Sequence, residues 1–218
     1  HLFPALPFIY ILTASGLKQW VRHVDIPEGS SPIRMIGAWI KAVFFSSLRY
    51  LFIFALMIWF IAETAFSAPY FLSYFNEFGG GVYGGYRYVT DSNYDWGQDL
   101  SRLTRWVEQR NHDNDYDNDI EKIAVDYFGA GSPKYYLGDI GENWWSGRGN
   151  PAEQGIRYLA VSVNTLQGAM GTLVSGQKRN PEDEYQWLEA LRPQSSQAMG
   201  SVPQPDYRAG TSLFIYQF

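Results

Sequence analysis

Apolar positions along this chain follow two different patterns, and the change between them falls near residue 68. Leu2–Leu17 carries no charge over about 16 residues, slightly fewer than the ~20 a helix needs to cross a ~30 Å hydrocarbon core. Pro4 and Pro7 lie in its first turns, where a missing amide costs least. The segment reads as a membrane span, or as a helix buried in a protein core. The run from Ala42 to Phe66, AVFFSSLRYLFIFALMIWFIAETAF, has Arg49 as its one internal charge before Glu63. Apolar residues cover every side of that putative helix, which suits lipid better than a one-sided core. Arg49 near one end can snorkel to the headgroups, and Trp59, Phe66, Tyr70 and Phe71 supply interfacial aromatics at the other.

Two spans therefore precede the rest of the chain, joined by a loop over 18–41. That loop holds Lys18, Arg22, Arg34 and Lys41 against Asp25 and Glu28, and short basic loops mark the cytoplasmic side. Residues 1–67 then form two transmembrane helices, and everything after Phe66 is extracytoplasmic. Residues 68–85, APYFLSYFNEFGGGVYGG, read as an interfacial hinge, aromatic first and then broken by glycines.

Beyond it the period changes. Tyr86–Thr90 (YRYVT) alternates like a strand, and Gly97–Arg110 places Leu100, Leu103, Trp106 and Val107 on one helical face. Strands follow over Ile120–Phe128, Ile156–Val163 and Thr211–Phe218, with helices over Ser132–Leu137 and Glu182–Leu191. Alternating strand and helix predicts an extracytoplasmic α/β domain over 86–218 with a small, largely parallel sheet.

The mean hydropathy of −0.24 averages over both halves and conceals the segregation. A net charge of −5 and a pI near 5.2 argue against nucleic acid as a partner. With no cysteine, disulfides and thiolate metal sites are excluded. The first residue is His1 and no signal-peptide pattern follows it, so a fragment of a longer protein is expected.

The densest polar cluster is TDSNYDWGQDL at 90–100, beyond the first strand, where open α/β sheets bind ligands. Asp91, Asn93, Asp95, Gln98 and Asp99 could together hold sugar hydroxyls or a hard divalent cation; no other cofactor is implied. The same residues also make a turn, and Asp95 with Gln98 a capping box. FGAGSP at 128–133, with Gly129 and with Ser132 before Pro133, could expose amides to an anion, although it has no Walker or dinucleotide pattern. Asn164, ending the third strand, could join the same crevice. The run Asp113, Asp115, Asp117, Asp119 departs from a calcium loop at Asn118 and Ala124 and reads as a solvated loop. His1, His23 and His112 share no metal-ligand spacing. Trp144 and Trp145, with Tyr135 and Tyr136, could stack on sugar rings or pack in a core.

HLFPALPFIYIL, YFLSYFNEFGGG, YGGYRYVTDSNYDWGQDLSRL, YFGAGSPKYY and the closing SLFIYQF together resemble the C-terminal end of bacterial GT-C membrane glycosyltransferases. These are similar to the protein O-mannosyltransferases of glycosyltransferase family 39. DSNYDWGQDL is the most specific string, and residues 139–155 and 166–208 match loosely. The resemblance implies a multi-pass enzyme of the bacterial inner membrane. It would transfer a sugar from a polyprenyl-phosphate carrier to an acceptor glycan or protein on the outer face, with membrane lipid as a further partner. The family's catalytic acidic residue would lie upstream of His1, so none is assigned here; His1 itself would sit near the lipid phosphate. The competing readings are a non-enzymatic, membrane-anchored carbohydrate- or protein-binding module, and a cation-dependent hydrolase using the 91–99 carboxylates.

Overall fold

The computed structural model describes residues 3–22, 31–89, 91–112, 119–170, 176, 178, 180, 182, 184–192 and 202–218. His1, His23, Thr90 and the acidic positions 113, 115 and 117 lie outside them. The chain divides into two compact units, His1–Phe66 and Ser67–Phe218.

In the first unit, a 3-10 turn at Phe3–Ala5 leads into α1, Leu6–Arg22, with Pro7 near its start. Helix α2, Pro32–Ser67, begins ten residues before the apolar run does, because Pro32 suits a first helical turn and only Gly37 interrupts good helix formers before Ala42. Lys18, Arg22, Arg34 and Lys41 consequently sit on helices, not in a loop over 18–41. At ~1.5 Å per residue the 36 residues of α2 reach about 54 Å, well beyond a ~30 Å hydrocarbon core. Its large side chains are exposed all round, Phe44, Phe52, Trp59 and Phe60 among them. Among the described residues α2 is the one helix long and apolar enough to cross a membrane. The 17 residues of α1 span only about 26 Å and end in charge, so the second expected span is not shown. The two helices meet where the Arg49 guanidinium donates to the Trp20 carbonyl (2.8 Å) and covers its indole, 5.4 Å from the ring centre.

The second unit opens with short 3-10 turns at Phe71–Ser73, Glu77–Gly79, Gly81–Tyr83, Gly85–Arg87 and Asp91–Asn93. The expected strand at Tyr86–Thr90 is thus a turn as far as it is described. Tyr86 is core instead, its ring edge-on to Phe214 at 5.2 Å. Gly85 lets the backbone pass Phe75 so closely that a Cβ would lie 2.1 Å from that ring.

The regular elements are α3 (Leu100–His112), β1 (Ile123–Asp126), α4 (Pro133–Leu137), β2 (Gly141–Asn143), β3 (Tyr158–Ser162), α5 (Val163–Met170), α6 (Gln186–Leu191), β4 (Tyr207–Ala209) and β5 (Leu213–Gln217). They build one five-stranded sheet in the order β2-β1-β3-β5-β4. The first three strands are parallel, while β5 runs antiparallel to both β3 and β4. The sheet is therefore mixed, not largely parallel. The physical reason is the tight turn at Gly210, which closes β4 and β5 into a hairpin and forces the chain to return antiparallel.

Strand alternation sorts side chains to two faces. Ile123, Val125, Tyr158, Ala160, Leu213 and Ile215 pack with Leu100, Leu103 and Val107 of α3. Ala124, Leu159, Val161, Phe214 and Tyr216 pack with Leu166 of α5, Leu188 of α6, and Tyr86, Tyr94 and Trp144. Helices on both faces make this unit a three-layer α/β/α arrangement.

Candidate functional site

The polar segment 91–99 is held shut by its own hydrogen bonds. Asp91 opens a 3-10 turn at φ +57°, a left-handed conformation that aspartate tolerates better than most residues. Its N–H donates to Asn164 Oδ1 (2.8 Å), and the Asn164 N–H donates to Ser162 Oγ (3.2 Å). Ser162 then donates to Asp95 Oδ2 (2.5 Å), while the Gly97 N–H donates to Asp95 Oδ1 (2.8 Å). Asp95 is buried, and that burial raises its pKa, with the bonds from Ser162 and Gly97 pulling the other way. Gln98 accepts from the Trp96 N–H (2.8 Å) and donates to the Tyr94 carbonyl (3.2 Å). The expected capping box is thus replaced by a turn, since Gln98 reaches residues 94 and 96 and α3 starts only at Leu100.

Asp99 is fully buried and tied to the hairpin. Its Oδ2 accepts from the backbone N–H groups of Thr211 (2.7 Å) and Ser212 (2.8 Å) and from Thr211 Oγ1 (3.3 Å). The Arg102 guanidinium pairs with its Oδ1. Gly210, at φ +69°, leaves the room, since a Cβ there would lie 2.1 Å from the carboxylate.

The other predicted residues divide. Gly129 packs against Gly97, where Tyr127 donates to the Gly97 carbonyl (2.9 Å) and a Cβ on either glycine would strike that hydroxyl. Asp91, Asp95, Gln98, Asp99, Gly129 and Asn164 are therefore brought together. Asn93 and Ser132 are exposed. Ser132 makes no side-chain cap, and α4 behind it has five residues, too few for an anion site. Among the described residues no group of three or more His, Asp or Glu could hold a metal ion.

A cavity of about 440 Å³ opens beyond the carboxyl ends of β1 and β3, on the α5 side of the sheet. Asp126, Trp145, Ser146, Thr165, Lys178 and Tyr185 are among its lining residues. Alternation along β1 puts Asp126 on the same face as Ala124. The Tyr185 hydroxyl donates to Asp126 Oδ2 (2.6 Å), and the Tyr185 N–H donates to Ser146 Oγ (2.8 Å). Trp145 is half-exposed at this cavity, whereas Trp144 is core and donates to the Gly149 carbonyl (3.0 Å). Tyr135 and Tyr136 belong to α4, whose Leu137 packs on the α3 face of the sheet.

Sequence reasoning singled out Trp145 but missed Asp126 and Tyr185. The period-two signal of β1 could have placed Asp126 on the α5 face; nothing local marks Tyr185, which meets it 59 positions away. Comparison with protein-family models, curated proteins and solved structures finds no match to this chain.

Asp99→Ala strands two buried backbone donors and an arginine. It should cost about 3 kcal/mol or more, read as a large fall in the melting temperature of the full chain in detergent. Burial raises the Asp95 pKa in the folded chain. A raised folded-state pKa contributes stability that is complete below the ordinary value of 3.8 and lost as pH rises through the folded value. Asp95→Asn should remove that component, so its melting temperature relative to the native chain rises from acid towards neutral pH; a constant difference would contradict the assignment.

Proposed function

We propose that this chain is the C-terminal part of a multi-pass glycosyltransferase of the bacterial inner membrane, GT-C-like and similar to glycosyltransferase family 39. It would move a sugar from a polyprenyl-phosphate carrier to an extracytoplasmic acceptor. The observation that carries this reading is the continuity of α2, apolar all round and long enough to span, with a folded α/β unit that starts at its end. A lipid-linked sugar presents its reacting centre at the membrane surface, where a spanning helix continuous with a folded unit can meet it. The likeness of DSNYDWGQDL to the family supports the same reading. In this chain that string braces the outer unit, and the catalytic base is assigned to none of its residues.

A second reading, a membrane-anchored carbohydrate-binding module, is favoured by the cavity beside Trp145. Transfer of label from a polyprenyl-phosphate hexose in membranes carrying the intact protein separates the two. Transfer above that of membranes lacking the protein supports the enzyme, and its absence leaves the module.

The orientation is tested with cysteines, of which the native chain has none. Ser132→Cys should react with a membrane-impermeant maleimide on intact cells, and Ser31→Cys only after permeabilisation. The reverse pattern would overturn the topology.

A further inference from the structure

The cavity on the α5 side combines features that segment 91–99 lacks, and we propose that it is a binding subsite for a neutral hexopyranose. Its volume, about 440 Å³, lies in the ~300–1,000 Å³ range of small-molecule sites. The lining is mixed in the way a sugar ring is mixed. Trp145 offers a half-exposed indole to the ring's C–H face, and Asp126 and Thr165 offer polar groups to its hydroxyls.

Three further observations point to a prepared site. Asp126 does not hang in solvent: the Tyr185 hydroxyl holds its Oδ2, leaving the carboxylate oriented. Tyr185 itself is fully buried at φ +48° and ψ +31°, a left-handed conformation that a bulky residue rarely adopts. The Ser146 hydroxyl and the Asp126 carboxylate fix its two ends in that conformation. Finally, Gly168 lines the same cavity, and a Cβ there would meet none of the described residues within 4 Å.

Charge selects the ligand class. Among the described residues the lining carries one carboxylate, Asp126, and one ammonium, Lys178. A phosphate would gain the ammonium but face the Asp126 carboxylate, with no second basic side chain among the described lining residues. A polyol with no net charge can use both, because each hydroxyl donates and accepts.

That the hexose belongs to a lipid-linked donor or to an acceptor glycan rests on the proposed function; the pocket chemistry is common to both. The test is saturation-transfer NMR on the full chain in nanodiscs, with the methyl glycosides of glucose, mannose and galactose as probes. Transfer to the ring protons of at least one glycoside at millimolar concentration is expected, displaced by neither inorganic phosphate nor acetate. Trp145→Ala and Asp126→Asn should abolish it. Gly168→Leu should do so too by filling the space, while changing no polar group and keeping good helix propensity. Loss of signal in these three variants, with native melting behaviour in Gly168→Leu, supports the subsite. No transfer in the native chain, or transfer unchanged in Gly168→Leu and Trp145→Ala, overturns it.

Two competition arms identify the source. Displacement by a short-chain prenyl-phosphate hexose at lower concentration than by a free oligosaccharide assigns the site to the donor, and the opposite order to the acceptor. Hexose binding without sugar transfer by the intact protein would sink the transferase reading and keep the subsite. Transfer without binding would do the reverse.

Discussion

The second unit, Ser67–Phe218, depends on a turn of three residues, 210–212, and on the carboxylate of Asp99 that reads its amides. Two backbone N–H groups and the Thr211 hydroxyl converge on one oxygen of Asp99, and Arg102 neutralises the other. Burying a carboxylate costs several kcal/mol, so the arrangement persists only with every one of those partners in place. Thr211 gathers other segments as well, since its hydroxyl lies 2.8 Å from the Ser73 Oγ and its carbonyl accepts from Tyr94 (3.3 Å). The guanidinium of Arg102 also covers the Tyr70 ring at 4.7 Å. The chain just after α2, the 91–99 loop, the start of α3 and the edge hairpin are thereby fixed to one another.

This division of labour changes where chemistry is to be sought. The acidic string that looks most like a ligand cluster has its two buried carboxylates committed to Ser162, Gly97, Thr211, Ser212 and Arg102. Ser162 shares its side of β3 with Tyr158 and Ala160, on the α3 face. The cavity instead opens on the α5 face, where Asp126 and Trp145 stand among groups that can meet a sugar. A specific sequence string can thus be a structural signature of a domain, while the binding residues lie in less conspicuous stretches.

How far the sequence disclosed this follows from the range of the forces involved. Helix α2 was legible because an unbroken apolar run needs no partner to be read. Helix α3 was legible from Leu100, Leu103 and Val107, which recur on one face. Strands β1, β3 and β5 showed as apolar runs, but β2 and β4 have three residues each, too short to carry an alternation. YRYVT alternated convincingly, yet Tyr86 is drawn into the core by Phe214 and the glycines before it allow the chain to coil. The mixed sheet was missed because Gly210 was not read as a hairpin turn. The pairing of Asp126 with Tyr185 is purely tertiary, and the left-handed backbone at a tyrosine runs against local preference.

Segment 91–99 braces the unit, and the sugar proposed for the α5 side should leave it untouched. Hydrogen exchange of the full chain in nanodiscs, with and without a saturating methyl hexoside, tests this directly. Added protection is expected in peptides covering Trp145–Ser146, Thr165–Ala169 and Tyr185–Leu188, with 91–99 slow to exchange and unchanged by the sugar. Protection gained in 91–99, with none around Trp145 and Tyr185, would contradict it.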